Sequence, residues 1–108
     1  MADAAYLGFD RGAPVVVVSD GPRPAVVRLG TDTNVIEVPA VEVVDSVGAG
    51  DTFGGAMLAW LIHAGGRRAS VADQAVILPA VRFGLHAASL VVQRPGADPP
   101  TLAELGGW

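Results

Sequence analysis

The chain has 108 residues, of which 51% are hydrophobic and 17% charged, with a formal net charge of -4. This length fits one domain or a piece of one, and the apolar content is too high for a disordered chain. Its seven basic residues are scattered arginines, it has no cysteine, and no apolar run approaches the roughly 20 residues of a membrane span, which argues against nucleic-acid binding, disulfides and a membrane protein.

The first half of the chain has the pattern of short strands. Val15–Val18 is a run of four valines bounded by turn-forming residues, which is typical of a buried strand. Residues 25–29 and 35–38 predict two more strands, because Gly30–Asn34 between them has the composition of a hairpin loop. A further strand is expected at Val41–Val44, leading directly into a glycine-rich stretch.

From Asp51 the apolar spacing changes to that of a helix. Apolar residues over 53–64 recur three and four positions apart, and Gly65–Gly66 ends the pattern. A second helical region is expected over 71–92, broken or restarted at Pro79, because proline fits the first turn of a helix but not its interior. Strands followed by two helices predict an α/β fold with mixed strand pairing, covered by the helices on at least one face.

Gly48-Ala49-Gly50-Asp51, at the junction of the last expected strand and the first helix, has the composition of an anion site. The first amides of a helix lack intrahelical acceptors and lie at the positive end of its dipole, and glycines let an oxyanion approach them. The chain has no lysine, so a P-loop is excluded. The Asp51 carboxylate is suited to accept a proton from a hydroxyl that attacks phosphorus.

Simpler interpretations of these residues remain open on spacing alone. Asp51 would serve equally as a helix N-cap or a partner of the helix dipole, and Gly48 and Gly50 as residues of a tight turn. Phe53 is expected in the apolar core. His63 has no partner at metal-ligand spacing and is expected to be exposed or to cap a helix.

The nine residues from Asp45 to Phe53, DSVGAGDTF, closely resemble the C-terminal signature D-[ST]-x-G-A-G-D-x-F of the ribokinase-like (PfkB) sugar kinases. Upstream, the valine run with Ser19 and Gly21 is similar to the family's strand and nucleotide loop, and Arg94–Ala97 is similar to its R-x-G-A. The resemblance implies that residues 1–108 are the C-terminal nucleotide-binding and catalytic portion of a kinase domain. The fold implied is the C-terminal part of a three-layer αβα sandwich, with mixed strands and two C-terminal helices.

The activity that the resemblance implies is ATP-dependent transfer of a phosphoryl group to a hydroxymethyl of a sugar or nucleoside, as in fructokinases and ribokinases. By match, Asp51 is the catalytic base and Gly48-Ala49-Gly50 is the anion hole. Ser19 and Gly21 match the loop that lies along the nucleotide. Gly48 and Gly50 are also expected to contact the nucleotide. His86 falls on the helix that contributes to the family's adenine pocket.

The cofactors implied by the resemblance are ATP, Mg²⁺ and K⁺. The monovalent cation would be bound by Asp45 and by backbone carbonyls, which are oxygen ligands of the type that hard cations prefer. By match, these carbonyls belong to Val47, Val91, Arg94 and Gly96. The expected partner is a sugar or nucleoside, with neither nucleic acid nor membrane, in a cytoplasmic protein that self-associates into a homo-oligomer.

Two alternatives remain open. The chain looks like roughly the last third of a family enzyme, and Pro24 stands where the nucleotide loop usually has a glycine. Both points favour a non-catalytic nucleotide- or anion-binding fragment, inactive as an isolated chain. In the other alternative the hairpin and helices only complete the fold of another chain.

Overall fold

The computed structural model describes residues 15–21, 23–65 and 74–108. In these residues three strands are followed by two helices, which is the predicted α/β order without the fourth expected strand. The elements are β1 (Val15–Asp20), β2 (Arg23–Leu29), β3 (Asp32–Ile36), α1 (Ala49–His63) and α2 (Gln74–Val91).

The strands form an antiparallel sheet in the order β1-β2-β3. The predicted loop between the last two strands was too long: Leu29 pairs with Asp32, so the turn is only Gly30 and Thr31. Gly30 has a φ of 58°, the left-handed conformation that two-residue hairpin turns require. Both strand pairings in the described residues are antiparallel. The mixed pairing expected from the sequence also needs a parallel pair, and the described strands do not include one.

The strand predicted at Val41–Val44 does not form. This segment has no strand assignment, and the side chains of Val43 and Val44 are more than half exposed. The amides of Val44 and Asp45 instead donate to the carbonyl of Val92, at 2.7 and 3.0 Å. The prediction was wrong because Val92, the residue that follows α2, provides the acceptor for this backbone in place of a neighbouring strand.

Helix α1 begins two residues before Asp51 and ends at His63, with Gly65 following at a φ of 117°. Gly66, the second predicted stop residue, and residues 71–73 of the second predicted helix lie outside the described residues.

Helix α2 continues through Pro79 without the predicted break. A proline inside a helix costs about 3 kcal/mol because it removes a backbone hydrogen bond. Ile77 and Val81, on either side of it, are almost completely buried. Burying such side chains contributes about 1.5–3 kcal/mol each, which offsets the cost of the proline.

The apolar core lies between one face of the sheet and both helices. Ala25, Val27 and Ile36 project from the sheet at positions that share a face. They pack against Phe53 of α1 and against the side chains of Ile77, Val81 and Leu85 of α2. The expected core position of Phe53 is therefore confirmed.

The two helices approach closely at Gly84 of α2. A Cβ atom added there would lie 2.7 Å from the carbonyl oxygen of Phe53 and 2.9 Å from its ring. Real Cβ atoms do not come this close to backbone. The contact fixes how α1, and the site at its N-terminus, sits on the core.

Helix α2 is also long and apolar enough to cross a membrane by length and composition. A core helix of a soluble protein meets the same criteria, and eight residues of α2 are buried within the fold. The absence of a membrane partner stays a prediction.

Candidate functional site

Gly48 begins α1 in a conformation that favours glycine. It is the N-cap residue, with φ 79° and ψ 0°, and no side chain caps the helix. A Cβ atom on Gly48 would lie 2.7 Å from the Cβ of Ala97. Backbone conformation and space therefore both require glycine at the point where the chain turns into the helix.

Two amides at the start of α1 are available to a ligand. The Ala49 N–H donates to the Ser46 carbonyl at 3.3 Å, and the Thr52 N–H donates to the Gly48 carbonyl at 2.9 Å. Within the described part of the chain, the N–H groups of Gly50 and Asp51 have no hydrogen-bond acceptor. Unpaired donors at the positive end of a helix are an anion-binding arrangement.

The Asp51 side chain does not cap the helix. It is exposed in the first turn, two residues after the helix begins, and makes no capping hydrogen bond. This removes the N-cap interpretation that the sequence left open, although proximity to the helix dipole remains favourable. The carboxylate is thus free to face a ligand.

Asp45 ties the loop before α1 to the segment after α2. Its Oδ1 accepts from the Val47 N–H and its Oδ2 from the Gly96 N–H, each at 2.9 Å. These two backbone hydrogen bonds, that of Val47 first, hold the pKa of Asp45 below its ordinary value of 3.8. The carboxylate is therefore an ionised crosslink between segments 51 residues apart.

The five residues predicted to bind a monovalent cation lie around this crosslink. Asp45 bonds to Val47 and Gly96, and the Arg94 N–H donates to the Val91 carbonyl at 3.2 Å. Each carboxylate oxygen can accept more than one hydrogen bond, so Asp45 keeps lone pairs after bonding to the two amides. One carboxylate among backbone carbonyls has the donor chemistry of a hard-cation site.

Two pockets flank the N-terminus of α1. The larger, here called the Ser19 pocket, has a volume of about 640 Å³, and the Asp51 pocket has about 480 Å³. The Ser19 pocket includes Ser19, Gly21, Ser46, Ala49, Gly50, Leu85 and Ser89. The Asp51 pocket includes Gly48, Asp51, Thr52, Gly55, Phe83, Leu105 and Trp108. The first turn of α1 therefore contributes to both pockets, with Gly50 in one and Asp51 in the other.

The pairing of β1 with β2 is irregular at Ser19, which lines the Ser19 pocket. The register of β1 and β2 shifts between Val18 and Asp20, opposite Pro24. Proline cannot donate to a ladder and is tolerated in strands at edges and bulges. Pro24 lies in β2, beside the irregular pairing at Ser19, where a residue without an N–H is tolerated.

The structure does not place His86 with the other predicted nucleotide residues. Its side chain is exposed on α2 and lines neither pocket. Leu85, Ala88 and Ser89 line the Ser19 pocket because they are spaced three and four residues apart on one helix face. His86 is one residue beyond Leu85 and is rotated by about 100° from that face.

Sequence reasoning missed the organisation of the last residues. Thr101 and Glu104 form a reciprocal capping box: the Thr101 N–H donates to Glu104 Oε1 at 2.9 Å, and the Glu104 N–H donates to Thr101 Oγ1 at 3.2 Å. The T-x-x-E spacing is a known signal for this motif and was available in the sequence. Trp108 stacks on His63 and Phe83.

Known proteins share the family and the fold that the sequence predicts. Residues 1–104 match the sequence model of the pfkB family carbohydrate kinases. The chain is 28% identical to a fructokinase from Xylella fastidiosa with bound ATP, with a TM-score of 0.83, and the match covers 96% of this chain and 34% of that one.

Two further solved structures are similar. A double mutant of the fructokinase from Vibrio cholerae O395, bound to fructose, ADP and potassium, is 28% identical with a TM-score of 0.77, covering 97% of this chain and 31% of that one. The aminoimidazole riboside kinase from Salmonella enterica, complexed with aminoimidazole riboside and an ATP analogue, has the same identity and TM-score, with coverages of 96% and 32%.

The chain spans about a third of the length of these three kinases. Its strands and helices follow the ribokinase-like fold, and the family match extends over nearly all of its residues. The chain belongs to the pfkB family of carbohydrate kinases.

Proposed function

We propose that this chain is the C-terminal nucleotide-binding and catalytic part of an ATP-dependent kinase whose acceptor is a hydroxymethyl group of a sugar or nucleoside. One observation carries the proposal. The unpaired amides at the start of α1 lie between two pockets, and the Asp51 carboxylate faces one of them without capping the helix. The ligands named for the similar kinases, which include ATP, ADP, fructose and a riboside, support it.

In this proposal the nucleotide occupies the Ser19 pocket, and its terminal phosphate approaches the amides of Gly50 and Asp51. The acceptor hydroxyl enters from the Asp51 pocket. Its oxygen bonds to the γ-phosphorus as the bond from phosphorus to the leaving oxygen of ADP breaks, and Asp51 takes the hydroxyl proton. The protein positions the reactants and stabilises charge, which is the main requirement for phosphoryl transfer.

Mg²⁺ would enter with the phosphates of ATP. In the parts of the chain described, no three His, Cys, Asp or Glu side chains converge to bind a metal. Mg²⁺ is commonly bound through one or two carboxylates together with substrate phosphates. K⁺ would be held by Asp45 and the neighbouring carbonyls, where it supplies positive charge beside the anion site; the potassium named with the Vibrio cholerae fructokinase supports this part of the proposal.

Replacing Asp51 with asparagine tests the catalytic assignment. Asp51→Asn keeps the shape of the side chain but cannot accept the hydroxyl proton. We expect turnover to fall by about 10²–10⁴-fold, the usual contribution of general base catalysis, while ATP affinity stays close to that of the wild type. Phosphoryl transfer to sugars and nucleosides, and ATP binding by calorimetry, measure the two quantities separately.

Asp32→Asn is the matched control, because it removes an exposed carboxylate from β3 and should leave turnover unchanged. Near-normal turnover by Asp51→Asn would contradict the assignment of the base.

A non-catalytic nucleotide- or anion-binding role is the second candidate. The chain spans only about a third of its relatives, and Pro24 stands where the nucleotide loop usually has glycine. ATP binding without phosphoryl transfer to any sugar or nucleoside, unaffected by Asp51→Asn, would favour this role. A cytoplasmic location and homo-oligomer formation remain predictions.

A further inference from the structure

The segment from Arg94 to Trp108, here called the tail, contacts α1 at its N-terminal end. The Gly96 N–H donates to the Asp45 carboxylate, in the loop that leads into the helix. The Ala97 methyl group fills the space where a side chain on Gly48 would lie. The tail therefore packs directly against the residue that begins the proposed anion site.

The tail also contacts the other end of α1. The indole of Trp108 stacks on the imidazole of His63, the last residue of the helix, with ring centroids 4.4 Å apart and planes 8° from parallel. Its second neighbour is Phe83 of α2, at 5.4 Å. Because 15 helical residues extend over about 22 Å, the tail spans the whole of α1.

Between these two contacts the tail is held in a fixed shape. Arg94 pairs with the Glu104 carboxylate, and its Nη1 donates to the Asp98 carbonyl at 3.2 Å. The capping box of Thr101 and Glu104 closes a single turn, and the Gly107 N–H then donates to the Leu102 carbonyl at 3.0 Å. These contacts connect the start of the tail to the turn that precedes Trp108.

We infer that the tail is a strap that fixes the start of α1 on the core, and that Trp108 is a positioning residue for the Gly48–Asp51 site. An anion site whose donors are held in place needs no reorganisation when charge develops, so a loosened strap weakens it. This consequence for catalysis rests on the proposed kinase function. The coupling between Trp108 and the start of α1 is independent of that function.

Hydrogen exchange of the backbone amides tests the coupling directly. In Trp108→Ala we expect the hydrogen-bonded amides at the helix start, those of Val47, Ala49 and Thr52, to exchange about three- to tenfold faster, because loss of the ring contacts favours local opening. Residues 23–36 of the sheet should be unchanged. Trp108→Phe keeps a ring for both contacts and should restore exchange to near the wild-type rate. Ile62→Ala, which removes an exposed apolar side chain beside His63 at the same end of α1, should also resemble the wild type at the helix start.

A spectroscopic measurement accompanies the exchange experiment. The chain has two tryptophans, so Trp60→Phe leaves Trp108 as the sole indole fluorophore. Adding His63→Ala to this background should shift the emission of Trp108 to longer wavelength, because the indole loses its stacked neighbour and gains contact with water.

Faster exchange confined to residues 100–108 would overturn the inference, because the tail end would then be uncoupled from the helix start. An equal increase in the sheet would also overturn it, since Trp108 would then be an ordinary contributor to overall stability. The wild-type protein could fail to bind ATP or transfer phosphate while Trp108→Ala still gave the expected change in exchange. That result would contradict the proposed function and support the strap.

Discussion

At the scale of single residues, Gly48 combines a left-handed backbone with contact against Ala97. Gly48→Ala should lower the free energy of unfolding by about 1–3 kcal/mol, because a non-glycine residue in this conformation is strained and its methyl group would overlap Ala97. Chemical denaturation monitored by circular dichroism measures the change.

Gly50→Ala is the matched control for Gly48→Ala. No atom lies within 4 Å of a Cβ placed on Gly50, and its φ is not positive. Alanine should therefore leave the free energy of unfolding unchanged or raise it slightly, since alanine is the better helix former. Equal losses in the two variants would show that the glycine requirement is not specific to Gly48.

The lowered pKa of Asp45 predicts how the stability of the fold changes at acid pH. Its pKa is lowered in the folded state by the Val47 N–H and then the Gly96 N–H, so its contribution to stability is present above the ordinary value of 3.8 and is lost as the pH falls through the lower folded value. Asp45→Asn should lower the unfolding midpoint at neutral pH and flatten the fall in stability below about pH 4. Thermal unfolding across a pH series checks both effects.

Glu42→Gln, which changes an exposed carboxylate in the segment before Asp45, is the control and should keep the wild-type pH dependence. A wild-type slope in Asp45→Asn would contradict the crosslink. Glu104, whose pKa is also lowered, first by the Thr101 N–H, keeps its own acid dependence in both variants.

At the scale of elements, the crossing of α1 and α2 depends on Gly84. Gly84→Ala should lower the free energy of unfolding by about 1–3 kcal/mol, because the added methyl group would overlap the Phe53 backbone and ring and push the helices apart. Urea denaturation provides the measurement.

Gly54→Ala provides the contrast for Gly84→Ala. Gly54 lies in the interior of α1, and no atom lies within 4 Å of a Cβ added to it. It should stabilise the protein by up to about 1 kcal/mol through helix propensity alone. If Gly84→Ala were equally stabilising, the close approach of the helices would be wrong.

The sequence predicted elements well where local pattern and tertiary environment agree. The helix containing Leu85 is buried along one face, and α1 buries Phe53 with Met57 and Leu61 packed against the core. The valine run forms the expected strand, in which Val18 is buried and the other three valines are partly buried. Predictions were wrong where a distant segment decides the structure, as at Val41–Val44, whose backbone is bound by Val92, the residue that follows α2. Pro79 remains helical because burial on both sides outweighs its local preference.

At the scale of the whole molecule, the candidate site combines local and distant parts. The junction from Gly48 to Asp51 is contiguous, so the sequence alone was sufficient to single it out. The contacts of Gly96 with Asp45 and of Ala97 with Gly48 join segments about 50 residues apart, and no local pattern shows that they meet. The placement of Ser19 in the same pocket as Gly50 likewise depends on how the sheet packs on the helices.

The central claim is that phosphate binds at the start of α1 with the nucleotide in the Ser19 pocket. A residue-resolved NMR titration with magnesium-ATP tests it most directly, because a dispersed amide spectrum also reports whether the chain is folded. We predict saturable shifts at the amides of Gly50 and Asp51, accompanied by shifts at Ser19 and Gly21. A dispersed spectrum in which these four amides do not move, or in which the shifts lie elsewhere, would contradict the account.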